Sequence, residues 1–173
     1  MSFKSGFVSI VGNPNVGKST LFNKLLNEDL SVVTNKPQTS RNKLLGIINH
    51  KNYQLILIDT PGYVNPSYKL HEYMNSKVFS SFEGSDLIIY VSDITEKKIN
   101  DKILSYVNKK NIPLYFIMNK SDLIKNNKSI NVKEFESYNY HIMDIISCKS
   151  EKDIGIVKKN IIKFLPNHKP YYP

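Results

Sequence analysis

The sequence predicts an α/β fold: a mixed, mostly parallel six-stranded sheet with helices on both faces. Three observations lead there. Short apolar runs rich in Ile, Val and Leu alternate with stretches of helical period along the whole chain, the pattern of strands joined by crossover helices. Two of those runs are separated only by Lys51-Asn52, so that pair forms an antiparallel hairpin at one edge. The sharply patterned polar clusters lie at the carboxyl ends of the runs or in loops on that edge, where an open α/β sheet binds its ligands.

Size and composition fit one domain. The chain has 173 residues, 40% of them hydrophobic, enough for a proper core and too apolar for a disordered chain. No apolar run approaches the roughly 20 residues that span a bilayer. The first residues, Met1-Ser2-Phe3-Lys4-Ser5, run directly into a strand, so no signal peptide is expected. Cys148 is the only cysteine, which excludes an internal disulfide and suits a reducing cytosol. The net charge of +9 would fit a polyanionic partner, but the basic residues are scattered lysines, with Arg41 the only arginine. The Lys97-Lys98 and Lys109-Lys110 pairs lack the interleaved aromatics of a single-strand binder, so the charge reads as a solvated surface.

Taken in order, Phe7–Val11 is a buried strand, and Leu21–Leu26 has apolar residues at helical spacing. Asn27 to Lys43 is polar, contains Pro37 and reads as a long loop, a common place for function. Leu44–His50 and Tyr53–Ile58 are the hairpin strands. Leu70–Phe82 reads as a helix and Asp86–Ser92 as a strand. Asn100–Lys110 is an amphipathic helix with Ile103, Leu104 and Val107 on one face. Pro113–Met118 is another apolar strand, Ser129–Tyr138 a short helix, and His141–Ile146 the last strand. Asp153–Leu165 closes the chain as a helix burying Ile154, Val157, Ile161 and Leu165. There are no internal repeats.

The most informative stretch is Gly12-Asn13-Pro14-Asn15-Val16-Gly17-Lys18-Ser19-Thr20. It reads G-x-x-x-x-G-K-S between a strand and a helix, the phosphate-binding loop of P-loop NTPases. Gly12 and Gly17 let the backbone curl so that several N–H groups converge, and the helix beginning near Lys18 adds its positive end. Lys18 reaches the β- and γ-phosphates, an attraction of about 4 kcal/mol at about 4 Å and an effective dielectric of about 20. Ser19 offers a hydroxyl to Mg²⁺.

Three further motifs follow strands. Asp59-Thr60-Pro61-Gly62 places a carboxylate at a strand tip, suited to holding Mg²⁺ through its water shell. Gly62 can bring a backbone N–H close to the γ-phosphate. Asn119-Lys120-Ser121-Asp122 reads the base: a carboxylate is acceptor-only and takes two N–H groups from guanine, a pair that adenine lacks. Discrimination of about several thousand-fold follows, since a failed match leaves a carboxylate unpaired. Asn119 can tie this loop to the phosphate loop, and the Lys120 stem can cover one face of the ring. At Ser147-Cys148-Lys149 the Cys148 N–H is expected to reach the guanine O6; a plain turn with a buried cysteine fits that stretch as well.

Together with Pro37-Gln38-Thr39-Ser40-Arg41 and the ending Phe164-Leu165-Pro166, these motifs resemble the guanine-nucleotide-binding domain of the Era GTPases over nearly the whole chain. The resemblance implies a GTPase acting as a switch in small-ribosomal-subunit assembly. It implies partners in GTP, GDP, the small subunit with its 16S rRNA and, peripherally, the inner face of the cell membrane. It also implies a cytoplasmic monomer that uses Mg²⁺ and K⁺. Gln38, Thr39, Ser40, Arg41 and Asn42 correspond to the first switch, with Ser40 joining Ser19 and Asp59 around Mg²⁺. Residues from Gly62 to about Tyr68 correspond to the second switch. Tyr63 lies beside the nucleotide where small signalling GTPases carry a water-orienting Gln. Its phenol, with a pKa of about 10, is a poor base. Asn15 resembles the residue that helps hold K⁺ in related GTPases, so slow, K⁺-assisted hydrolysis is expected, with Asn15, Lys18 and Gly62 the catalytic set. Arg41 is given a structural role. Era proteins continue into an RNA-binding KH domain, and residues 166–173 are expected to open the linker towards it. No G-x-x-G loop of that type follows the GTPase motifs. A Der-like assembly GTPase and a nucleotide-dependent interaction module with negligible turnover are the alternative readings.

Overall fold

The computed structural model describes residues 2–27, 31–34, 44–63, 69–96, 100–124, 132–136 and 138–173. Seven strands and four helices follow in the order β1 (Lys4–Val11), α1 (Lys18–Asn27), β2 (Ser31–Thr34), β3 (Leu44–His50), β4 (Tyr53–Asp59), α2 (Lys69–Phe82), β5 (Leu87–Asp93), α3 (Asp101–Lys110), β6 (Leu114–Asn119), β7 (Ile142–Ile145) and α4 (Glu151–Phe164). Short 3₁₀ turns occupy Ser121–Leu123 and Val132–Phe135.

The strands form one sheet in the order β2-β3-β4-β1-β5-β6-β7. From β4 through β7 all neighbours are parallel; β3 runs antiparallel to β4, and β2 antiparallel to β3. The expected α/β architecture is present with seven strands rather than six. The added strand lies inside the polar stretch read as a loop. Ser31-Val32-Val33-Thr34 is too short to show a period, and its pairing with Leu45–Ile48 across a long connection leaves no local signal.

Side-chain alternation along the central strands assigns the two faces. Leu87, Ile89 and Val91 of β5 meet Leu21, Phe22 and Leu25 of α1 and Ile154, Val157 and Ile161 of α4 in one apolar cluster. Ile88 and Tyr90 point the other way, towards Val78 and Phe82 of α2 and Ile103, Leu104 and Val107 of α3. Both faces are covered, which is why β5 and β6 are buried along their full length and read as continuous apolar runs.

Helix ends carry their own signals. The Asn100 side chain caps α3 by accepting from the Lys102 and Ile103 amides, and α3 ends at Asn111 in the left-handed region. Ser150 caps α4 through the Asp153 amide, so the helix starts at Glu151, two residues before the expected Asp153. The helix expected over Ser129–Tyr138 is, among the described residues, only the 3₁₀ turn at Val132–Phe135; residues 129–131 and 137 lie outside them. One buried aromatic, Phe135 against Phe116 at 5.1 Å, anchors that turn without any helical period.

Residues 166–173, expected to open a linker, pack on the amino-terminal end of the sheet. The Ser5 amide donates to Pro166 O, and Lys4 forms a bridge with Asn167. The Gln54 side chain, 1% exposed, accepts from the Tyr171 and Tyr172 amides and donates to Tyr172 O. The opposite end of the sheet is left to the loops that carry the motifs.

Candidate nucleotide site

β1 ends at the reversal point of the strand order, between β4 and β5, and the chain there turns into the G-x-x-x-x-G-K-S loop. Gly12 (φ 154°) is required by its neighbour strand: a Cβ there would stand 2.1 Å from the Val91 carbonyl oxygen. Gly17 (φ 105°) is required by the base-reading loop, since a Cβ would stand 2.2 Å from Asn119 Nδ2. Asn15 at the loop tip holds φ 65° and is exposed, while Val16 is buried in the core beneath it. Helix α1 starts at Lys18, with Ser19 and Thr20 exposed in its first turn. Lys18 is 7% exposed and donates through Nζ to Asn13 O at 2.7 Å. Burial lowers the pKa of its ammonium, partly offset by the nearby Asp59 and Glu96 carboxylates.

Asp59 ends β4 in register with Ile10, so strand pairing sets it beside the phosphate loop. Burial raises the pKa of its carboxyl, with Lys18 and the Thr60 amide opposing. Its Oδ1 is buried with no hydrogen-bond partner. An acidic oxygen left bare in such a place suits a divalent cation. Mg²⁺ takes one or two carboxylate or hydroxyl ligands and keeps several waters, so Asp59 with Ser19 is a fitting set. The rest of the segment fixes the backbone. Thr60 Oγ1 donates to Ile10 O at 2.6 Å, fixing the segment to β1. The Tyr63 amide donates to Gly12 O at 3.1 Å. Gly62 lies so close to Pro14 that an added Cβ would meet its backbone at 3.2 Å. The Tyr63 ring is 2% exposed and meets Phe79 edge-on at 6.1 Å, so it belongs to the α2-α3 core.

Asn119 ends β6 and ties three motifs together. Its Nδ2 donates to Val16 O at 2.9 Å, and its Oδ1 accepts from the Cys148 amide at 3.0 Å. The Cys148 N–H, expected to face the base, is therefore taken up by Asn119. The Cys148 thiol is buried and its pKa is pushed up to about 11, which makes it inert. Lys120 sits in the left-handed region at φ 68°, with Nζ 2.6 Å from Asp93 Oδ2. Ser121 opens the 3₁₀ turn that presents Asp122. Lys149 Nζ reaches Asp122 Oδ2 at 2.6 Å and Ser147 Oγ donates to Oδ1 at 2.8 Å. These two partners hold the carboxyl pKa below the usual range, Lys149 contributing most. A carboxylate kept ionised, half-exposed and at a strand's carboxyl end can accept a pair of N–H donors from a base.

The structure thus brings the phosphate loop, Asp59–Tyr63, Asn119–Asp122 and Ser147–Lys149 to one end of the sheet. Gln38, Thr39, Ser40, Arg41 and Asn42 lie outside the described residues. Two residues that sequence reasoning missed also stand there, Asp93 at the end of β5 and Glu96 just beyond. The signal that singled out Asp59, a carboxylate at the carboxyl end of an apolar strand, applies equally to Asp93. Among the described residues no group of three or more His, Cys, Asp or Glu could hold a metal, and no helix is long and apolar enough to cross a membrane.

Comparison with known proteins agrees with this geometry. Residues 7–120 match the family described as 50S ribosome-binding GTPase. GTPase Era of Clostridium perfringens is 39% identical over 99% of this chain, which spans 59% of that protein. The crystal structure of Era in complex with MgGDPNP and nucleotides 1506–1542 of 16S ribosomal RNA matches with a TM-score of 0.78 at 34% identity, covering 99% of this chain and 60% of the other. A Tyr-to-Ala variant of Aquifex aeolicus Era bound to GDP·AlF₄⁻ matches with a TM-score of 0.79 at 33% identity over the same shares.

Proposed function

The chain belongs to the 50S ribosome-binding GTPase family, and from that premise we propose that it is the GTP-binding domain of an Era-type GTPase. It takes GTP, hydrolyses it slowly to GDP and phosphate, and uses the difference between the two states as a switch in small-subunit assembly. The complex of Era with MgGDPNP and nucleotides 1506–1542 of 16S ribosomal RNA supports that partner, and this chain spans 60% of the Era in it. A cytoplasmic location goes with this role; contact with the inner face of the membrane belongs to the same proposal.

One observation carries the reading: Asn119 joins the loop that presents Asp122 to the loop that presents Lys18. Base recognition and phosphate recognition are thereby held in one rigid register. The convergent N–H groups of residues 12–18 and the amino end of α1 receive the phosphates, with Lys18 turning from Asn13 O to a phosphate oxygen. Asp122 accepts from the guanine edge once Lys149, whose side chain is exposed, swings aside. Asp59 and Ser19 would hold Mg²⁺, which neutralises charge on the β- and γ-phosphate oxygens. Ser40 is proposed as a third contact.

Slow turnover follows from Tyr63. Its ring is packed into the core and presents no base to water, so hydrolysis depends on positioning and charge stabilisation. The exposed Asn15 at the loop tip is the proposed contact for K⁺. The test is calorimetry on nucleotide-stripped protein, followed by single-turnover assays. Uptake of GTP and GDP without ATP is expected, with faster turnover in K⁺ than in Na⁺ and loss of that difference in Asn15→Ala. Uptake of ATP as well as GTP would overturn the base assignment, and equal rates in the two salts would remove K⁺.

A further inference from the structure

The turn after β5 forms a junction that the GTPase reading leaves unexplained. Glu96 is bonded at both carboxylate oxygens. Its Oε2 accepts from Ser92 Oγ at 2.7 Å and from the Asp93 amide at 3.2 Å; its Oε1 accepts from Asn13 Nδ2 at 2.6 Å. Asn13 is the second residue of the phosphate loop, and its carbonyl is the one that receives Lys18 Nζ. On the other side, Asp93 Oδ2 pairs with Lys120 Nζ, Asp93 Oδ1 accepts from the Thr95 amide and hydroxyl, and the Ile94 amide donates to Asn119 O. A continuous chain of charge-assisted bonds therefore runs Lys120–Asp93–Glu96–Asn13–Lys18. It runs through different side chains from the Asn119 tie and meets it at the Ile94 amide, which donates to Asn119 O.

The charge of Glu96 makes the arrangement informative. A carboxylate close enough to favour the charged form of Lys18 lies in the field of any phosphate bound there and repels it. On charge alone, removing Glu96 should tighten nucleotide binding. A group that acts through geometry has the opposite effect.

We propose that Glu96 is a positioning residue of the nucleotide site, bracing the phosphate loop against the turn that holds the base-reading Lys120, so that base and phosphate recognition reinforce each other. The proposal rests on the reading of this pocket as a guanine-nucleotide site. Both neighbours of the brace hold a residue in the left-handed region. Lys120 keeps a left-handed φ, a conformation that persists only where its surroundings over-determine it. The phosphate loop has Asn15 in the same region and Pro14 exposed. Without Oε1 the Asn13 Nδ2 loses its acceptor at 2.6 Å, and the carbonyl that parks Lys18 is free to drift.

The test compares GDP with guanosine, which carries the base and no phosphate, by calorimetry on wild type, Glu96→Ala, Asn13→Ala, the double variant and Glu96→Gln. Glu96→Ala is expected to weaken GDP about tenfold while guanosine changes by less than about twofold. Asn13→Ala should give the same split, and the double variant should lose no more than either single one. Glu96→Gln retains one carbonyl acceptor and should recover part of the loss. Hydrogen exchange on the nucleotide-free proteins gives a readout independent of any ligand: amides of residues 12–18 should exchange faster in Glu96→Ala. Tighter or unchanged GDP binding in Glu96→Ala overturns the proposal, as does an equal loss for GDP and guanosine. Wild-type protein that binds neither ligand overturns the guanine-site reading instead; faster loop exchange in the variant would then still stand for the brace itself.

Discussion

Asn119→Ala tests whether the site is welded into the fold or merely laid over it. Asn119 is 3% exposed, and its side chain donates to Val16 O and accepts from the Cys148 amide, both bonds buried. Truncation leaves a carbonyl and an N–H without partners. Each orphaned buried group costs about 1–3 kcal/mol, so the pair costs about 2–6 kcal/mol, with a central value of about 4. Against a total stability of about 5–15 kcal/mol that is a severe loss. For a chain of this length each kcal/mol moves the melting temperature by about 2–4 °C, so a drop of about 8–16 °C is expected. The assay is urea unfolding of nucleotide-free protein, where the midpoint should fall with the slope unchanged. Asn119→Asp keeps an acceptor for Cys148 but turns a carboxylate oxygen onto Val16 O, so it should be no better than alanine. A loss below about 1 kcal/mol for Asn119→Ala would refute the reasoning, because it would mean that water or a local shift satisfies both groups and that Asn119 is no more than a turn residue.

Three further substitutions have expected outcomes. In nucleotide-free protein Asp59 has a raised carboxyl pKa because it is buried. The native state then holds that proton more tightly than the unfolded chain, so this group's contribution to stability falls as pH rises from the unfolded value of about 3.9 through the raised native one. Asp59→Asn should therefore melt higher than wild type at neutral pH, lose that advantage below about pH 4, and lose Mg²⁺-dependent tightening of GDP in fluorescence titrations. Gly12→Ala, with its Cβ driven onto the Val91 carbonyl at a positive φ, should yield little folded protein by circular dichroism; Gly155→Ala, where a Cβ meets nothing within 4 Å on α4, should raise stability by about 0.5–1 kcal/mol in urea.

Much of this was legible because the fold places its chemistry where local pattern is strongest. Strands such as β5 and β6 are buried on both faces and announce themselves as unbroken apolar runs, and the loops at their carboxyl ends inherit a position from them. What escaped was non-local. β2 exists only through its pairing with β3. The contact of Gln54 with Tyr171 and Tyr172 joins residues about 117 positions apart, so no local pattern announces it. Glu96 acts on Asn13 across 83 positions, and nothing near either residue records it. Motif reasoning identified Thr60, Tyr63 and Cys148 as site residues. It carried no signal of the contacts that the Thr60 hydroxyl, the Tyr63 ring and the Cys148 amide make with Ile10, Phe79 and Asn119.

That division has an energetic counterpart. Three non-glycine residues among those described hold a positive φ, and two of them, Asn15 and Lys120, belong to the phosphate and base loops. The same pocket buries an ammonium and a carboxylate, Lys18 and Asp59, whose pKa values are both displaced towards neutrality by lost solvation. Strain and desolvation are thus concentrated at the carboxyl end of the sheet, while two well-filled apolar faces and the Asn119 tie supply the compensation. A ligand that brings a cation to Asp59 supplies its missing partner and offers Lys18 a phosphate oxygen in place of Asn13 O. Its binding must then stabilise the fold in proportion to occupancy, rising by about 1.4 kcal/mol for each tenfold excess over its dissociation constant.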